Sequence, residues 1–118
     1  MMSFKGKEIY IACGETDMRN NIDGLSAIVE NSFALSPMSE AIFIFCNGKK
    51  DRLKILEWDG DGFWLHCKRL QRGRFPWPKS SEGEKTMTLS HQELEQLLGG
   101  LKLRLKFDRI DYTGKIIV

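Results

Sequence analysis

Six consecutive residues, AIFIFC from Ala41 to Cys46, are apolar at every position. Successive side chains of a strand point to opposite faces, so a strand with one wet face alternates, and a run with no polar position must be covered on both. The segment reads as a central strand with protein above and below it. With 118 residues the chain has the length of one domain, 1–118, able to bury a single core without staples. Everything else in the sequence has to supply neighbours and covers for that strand.

The neighbours are visible on either side. KEIYIAC, Lys7 to Cys13, is a β-branched and aromatic run that ends at Gly14. Asn47-Gly48 turns the chain after the central strand. Arg52 to Trp58 and Gly62 to Lys68 follow as two strands around Asp59-Gly60-Asp61-Gly62. A register with Ile55 opposite Leu65 puts Leu53, Ile55, Phe63, Leu65 and Cys67 on the core face, joined by Phe43 and Phe45. Arg52, Lys54, Leu56, Trp58, Trp64, His66 and Lys68 then share the other face, with Arg52 across from Lys68.

Two helices supply the covers. Ile22, Leu25, Ile28 and Val29 recur at helical spacing one turn after Met18, giving a helix over about 21–33 that Thr16 or Asp17 can cap and that Ser36-Pro37 closes. Ser90 and Glu93 form a capping box, Leu94, Leu97 and Leu98 an apolar stripe, and Gly99-Gly100 a stop, so a second helix spans about 91–98. The fold class is α+β: a mostly antiparallel sheet, with a meander about 41–68 at its centre. Thr86 to Leu89 is a candidate short strand, and LKLRLKF, Leu101 to Phe107, alternates as a half-buried strand showing Lys102, Arg104 and Lys106 outward. Residues 71–85, rich in Gly, Pro and Ser, read as a mobile loop or arm.

Charge is unevenly spread. The chain carries +2 overall, yet residues 47–79 hold nine Lys or Arg against four acids, which leaves the remainder net acidic. The basic positions are Lys49, Lys50, Arg52, Lys54, Lys68, Arg69, Arg72, Arg74 and Lys79. Such a cluster is either a solvated face or a surface for an acidic partner. Like charges opposed on adjacent strands are unfavourable by up to about 1 kcal/mol and call for a compensating anion. A phosphate backbone is one such anion, and the interleaving of Arg72, Arg74, Phe75 and Trp77 has the composition of a base-stacking or groove-gripping segment. Trp77 packed back onto the core is the alternative.

Other chemistries find less support. DGDG, with Asp59 and Asp61, suits a turn between strands better than a calcium loop, which needs more ligands at set positions. A three-carboxylate nuclease site drawn from Asp17, Asp23, Asp51, Glu57 and Asp59 is open by spacing, but nothing singles out a triad. His66 and Cys67 are strand neighbours that point to opposite faces, which disfavours a dyad, and His91 has no evident partner. No glycine-rich phosphate loop is present in the sequence. Cys13, Cys46 and Cys67 fit neither a disulfide framework nor zinc spacing and read as buried apolar side chains. No metal and no cofactor is expected. No apolar run approaches the roughly 20 residues of a membrane span, and MMSFKGKEIYIACGE lacks a signal-peptide core, so no membrane contact and a cytoplasmic location are expected.

Three strings carry a family resemblance: CGETDMRNNIDGL (Cys13 to Leu25), DRLKILEWDGDGFWLHCKRLQRGRFPWP (Asp51 to Pro78) and TLSHQELEQLLGG (Thr88 to Gly100). In order and spacing they resemble the small accessory protein called TnpB of insertion-sequence-sixty-six-type bacterial transposable elements, which is unrelated to the RNA-guided nucleases of that name. Arg19, Asp23, Asp51, Arg52, Asp59, Gly60, Gly62, Lys68, Arg69, Gly73, Arg74 and Trp77 fall on the family pattern. The resemblance implies an accessory to DNA transposition encoded beside a separate DDE transposase that performs strand transfer, with no catalytic residues to carry over. Where many members have an arginine-rich stretch, this chain has Asn47-Gly48-Lys49-Lys50, and lysine lacks the bidentate fork of arginine. Asn20 replaces a usual basic residue, and the tail 101–118 matches no motif of the resemblance.

Together these readings give a non-catalytic accessory of transposition that binds DNA, expected at the transposon ends. Its contacts are Lys49, Lys50, Arg52, Lys54, Lys68, Arg69, Arg72, Arg74 and Trp77. The alternative is a protein-protein adaptor for the transposase or another element-encoded protein, without direct DNA binding, in which Trp58 and Trp64 are the anchoring aromatics. A small hydrolytic or nuclease enzyme comes third.

Overall fold

The computed structural model describes residues 4–80 and 82–99. The expected strand over Leu101 to Phe107 lies outside the described residues.

The doubly apolar run is strand β2 (Ala41–Cys46), buried at all of its positions and central in a five-stranded sheet. With β1 (Glu8–Ala12), β3 (Arg52–Trp58), β4 (Phe63–Arg69) and β5 (Thr86–Leu89), the strand order is β4-β3-β2-β1-β5. β1 and β2 are parallel, and the other pairs are antiparallel. The parallel pair follows from the crossover between them, which contains helix α1 (Ile22–Asn31). Helix α2 (His91–Leu98) comes last. The mostly antiparallel α+β architecture therefore stands.

Each face of β2 has its own cover. Phe43 and Phe45 belong to a cluster with Ala12, Leu56, Leu25 and Val29, the last two being the buried residues of α1. Ile42, Ile44 and Cys46 belong to a second cluster with Ile9, Ile11, Leu53 and Ile55, which Leu94 and Leu97 of α2 join from above. The second cluster is completed by Phe4, Phe75 and Trp77. Burying each large aliphatic side chain contributes about 1.5–3 kcal/mol, so neither face is dispensable.

The helix ends differ from one another. Ser90 accepts from the Glu93 amide at 3.1 Å while Glu93 accepts from the Ser90 amide at 2.9 Å, the reciprocal box expected. At α1, neither Thr16 nor Asp17 is the cap: Asn21 takes that position, without a side-chain hydrogen bond. Asp17 instead accepts from the Arg19 amide and guanidinium, a pairing that holds its carboxyl down at about 2.

The hairpin register differs by one residue from the expected one. Leu56, not Ile55, faces Leu65, and Arg52 faces Arg69 rather than Lys68. Leu53 and Ile55 therefore share a face with Ile42, Ile44, His66 and Lys68, while Phe43 and Phe45 lie with Lys54, Leu56, Leu65 and Cys67. Loop length sets this. Asp59 to Gly62 form a four-residue connection, closed by the Asp59 amide donating to Gly62 O at 3.0 Å, whereas the expected register needs three.

Candidate nucleic-acid interface

The basic residues are gathered by backbone geometry at one end of the sheet. Between β2 and β3, Asn47 Oδ1 accepts from the Asp51 and Arg52 amides, each at 3.1 Å, and its Nδ2 donates to Asp51 Oδ1 at 2.8 Å. This side chain shapes the turn so that Lys50 adopts a left-handed φ of +62°, uncommon for a residue with a Cβ. Two carbonyls of the same turn then hold the chain after β4. The Leu70 amide donates to Asp51 O at 2.8 Å, and the Phe75 amide donates to Lys50 O at 2.7 Å. Arg72 and Arg74 lie between these two bonds and are carried to the side of Lys49, Lys50 and Arg52.

Phe75 drives that docking. Its ring is 1% exposed, and burial of a phenylalanine outweighs the cost of ordering a few loop residues. The segment expected as an arm, 71–85, is thus anchored through its first part, as far as Pro78.

Arg52 and Arg69 are direct cross-strand partners and so project from the same face. They border a groove of about 420 Å³ that Met18, Lys54 and Cys67 also line. The guanidinium groups of Arg52, Arg69, Arg72 and Arg74 and the ammonium groups of Lys49 and Lys50 make no hydrogen bond or ion pair with another described residue. Among the described residues no acid forms an ion pair with either of these opposed like charges. The one acid of the turn, Asp51, is committed to Asn47, which with the turn backbone and the Arg52 and Lys49 charges lowers its carboxyl below the ordinary value.

Three expected contact residues are employed elsewhere. Lys54 Nζ donates to Met18 O at 2.9 Å, Asn20 O at 2.8 Å and Asn21 Oδ1 at 3.0 Å, so all of its protons are used in fastening the loop before α1. Lys68 points to the other sheet face and donates to Leu98 O, at the C-terminal end of α2 where a cation complements the helix dipole. Trp77 is 9% exposed, and its Nε1 donates to Ala12 O at 3.1 Å. Its ring lies in the core cluster, leaving no open face on which a base can stack.

The other two tryptophans lie at the opposite end of the sheet and on different faces from each other. Trp58 pairs with Phe63 across the hairpin, with ring centroids 5.0 Å apart. Trp64 is 57% exposed, and its Nε1 donates to Asp59 Oδ2 at 2.6 Å. Beside it lies a network that sequence reading did not assemble. Lys7 Nζ meets Glu57 Oε2 at 2.8 Å, and His66 Nε2 meets Glu57 Oε1 at 2.9 Å. Burial pushes the Glu57 carboxyl up, but hydrogen bonds and charge from Lys7 and His66 more than offset it, so it ends below the ordinary value. Lys7 lies 50 residues from Glu57, and only the β1-β2-β3 order brings them together.

Among the described residues no three His, Cys, Asp or Glu side chains are grouped to hold a metal ion. The cysteines are not uniformly buried as expected. Cys46 is buried, with its thiol pushed up to about 12 by desolvation, Cys13 is half-buried, and Cys67 is exposed on edge strand β4. Among the described residues no helix is long and apolar enough to cross a membrane.

Comparison with known proteins decides the lineage. The family described as IS66 Orf2 like protein matches residues 7–107. The chain belongs to the IS66 Orf2-like family. The match takes in the five strands and two helices of the described residues, and extends to Phe107, so part of the tail that carried no motif of the resemblance falls within the family region. Two relatives come from Sinorhizobium fredii (strain NBRC 101917 / NGR234). "Uncharacterized protein y4hO" is 36% identical over 96 residues, covering 81% of this chain and 82% of that protein. "Uncharacterized protein y4jC" is 33% identical over 97 residues, covering 82% of this chain and 81% of that protein. No solved structure matches the chain. Membership in the IS66 Orf2-like family supports an accessory role in transposition.

Proposed function

We propose that this IS66 Orf2-like protein is a non-catalytic accessory of DNA transposition that holds DNA through the basic end of its sheet. The phosphate contacts are Lys49, Lys50, Arg52, Arg69, Arg72 and Arg74. The observation that carries the reading is the Arg52–Arg69 pair, opposed across β3 and β4 with no described anion between them, beside an arm that brings Arg72 and Arg74 to the same end. A polyanion relieves that repulsion, and each phosphate neutralised releases counterions. Lysines at 49 and 50 suit charge contacts to the backbone more than readout of a base edge.

The test is fluorescence anisotropy with a labelled duplex of the element's terminal repeat and a scrambled duplex, at two salt concentrations. Binding is expected to fall steeply with salt. Arg72→Ala combined with Arg74→Ala is expected to weaken it on both duplexes and lower the salt slope by about 2, roughly one per contact. Unchanged affinity and slope in the double variant would refute the assignment.

A second reading draws on Trp64, an exposed tryptophan held by a hydrogen bond far from the basic end. In it the protein is an adaptor for the element's DDE transposase, and the aromatic end is the contact.

A further inference from the structure

The sheet is electrically bipolar along its strands. At the end away from the basic cluster, β1, the residue before β2 and the β3–β4 turn present the exposed acids Glu8, Glu40, Asp59 and Asp61. The nearby cations are Lys5 and Lys7, and Lys7 is already bound to Glu57. The same end holds the exposed large hydrophobic side chains of the described residues, Met38 at 55% and Trp64 at 57%. Both border Asp59. Trp64 donates its indole N–H to that carboxylate, and Met38 lines with Trp58 and Asp59 a groove of about 530 Å³.

Trp64 is held rather than merely exposed. Asp59 fixes its N–H, and its ring stacks on His66 with centroids 6.1 Å apart and planes 11° from parallel. His66 is in turn held by Glu57, and Glu57 by Lys7. A surface tryptophan ordered in advance loses little rotamer freedom when something covers it. The surrounding carboxylates repel a phosphate chain, so a base stacked here would have its own backbone in an unfavourable field. A guanidinium meets the reverse conditions. It stacks on an indole face, donates to an adjacent carboxylate, and carries an aliphatic stem that covers apolar surface.

We propose that the end of the sheet formed by Met38, Trp58, Asp59 and Trp64 is a docking surface for an arginine-bearing segment of a protein partner, the guanidinium stacked on the Trp64 ring face away from His66 and donating to the Asp59 carboxylate at the ring edge. The proposal is independent of DNA binding and deepens the adaptor reading, on which the identity of the partner rests. It gives the molecule two ends of opposite preference, one for phosphate and one for cationic protein.

The probe is a blocked hexapeptide of alternating leucine and arginine, compared with its citrulline counterpart, which keeps the shape and loses the charge. Each is titrated into the full chain and followed by tryptophan fluorescence and calorimetry. The arginine peptide is expected to bind at least tenfold more tightly than the citrulline one. Asp59→Asn, which keeps an acceptor for the indole, is expected to weaken it at least fivefold, and Trp64→Leu to remove it, both with unchanged circular dichroism. Arg72→Ala with Arg74→Ala is expected to leave it unaffected. Equal binding of the two peptides, or indifference to Trp64→Leu, overturns the proposal. So does a single-stranded oligonucleotide whose binding is lost in Trp64→Leu, or self-association of the wild type that Asp59→Asn abolishes, since either installs a different occupant. Transposase that co-purifies equally with the wild type and Trp64→Leu keeps the adaptor reading and overturns this surface. Arginine-peptide binding without transposase co-purification supports the surface and removes the adaptor reading.

Discussion

Trp77 Nε1 donates to the carbonyl of Ala12 across 65 residues of sequence, at 3.1 Å and inside the core. Ala12 is the last residue of β1, next to its pairing with Thr86 of β5, so one indole ties the segment after β4 to the far half of the sheet. This bond turns a proline-flanked loop into part of the fold.

Trp77 is consequently a stability residue. Trp77→Ala is expected to cost about 3–5 kcal/mol through lost burial and the cavity left behind. Trp77→Phe removes the donor and strands a buried carbonyl, at about 1–3 kcal/mol. Denaturant midpoints at constant slope measure both. DNA affinity of the folded Trp77→Phe protein is expected to equal that of the wild type, and a selective loss of binding without loss of stability would contradict the assignment.

Lys54 and Arg52, two residues apart on β3, are expected to separate cleanly. Lys54→Met keeps the aliphatic stem but leaves Met18 O, Asn20 O and Asn21 Oδ1 without their donor, and is expected to destabilise by about 1–3 kcal/mol with unchanged DNA affinity after folding. Arg52→Ala, which removes an exposed side chain without a described partner, is expected to alter stability by no more than about 0.5 kcal/mol while weakening binding and its salt dependence. Equilibrium unfolding and anisotropy on both variants decide the matter.

Glu57 makes stability dependent on acid. Its folded carboxyl is held below the ordinary value of 4.5, so the unfolded chain binds the proton more tightly. The contribution is fully present above that value and is lost as the pH falls through the lower, folded one. Thermal unfolding between pH 7 and pH 3 is expected to show the wild type losing more stability in the acid part of the range than Glu57→Gln does. Parallel curves for the two proteins would mean that the Lys7–Glu57–His66 network does not stabilise the fold.

Much of the architecture was legible locally. AIFIFC announced a strand covered on both faces because no polar side chain had to reach water, and Ser90 with Glu93 announced a helix start because the box satisfies its own backbone donors. The basic cluster was legible as composition, but its membership was not. Lys54 and Arg52 look alike in sequence, and only the loop packed beside β3 makes one a fastener and leaves the other free.

The sequence by itself determined the type and order of the elements, since periodicity and capping act over a few residues. The hairpin register was decided by the turn and the tertiary structure together. β3 and β4 are partly apolar on both faces, with Leu53, Ile55 and Leu56 on one strand and Phe63, Trp64 and Leu65 on the other, so alternation selects neither face. The choice fell to the four-residue turn and to the two layers that bury opposite sides of the sheet. The same layers drew Trp77 inward and left Trp64 outside, because burial is a sum over neighbours that are distant along the chain.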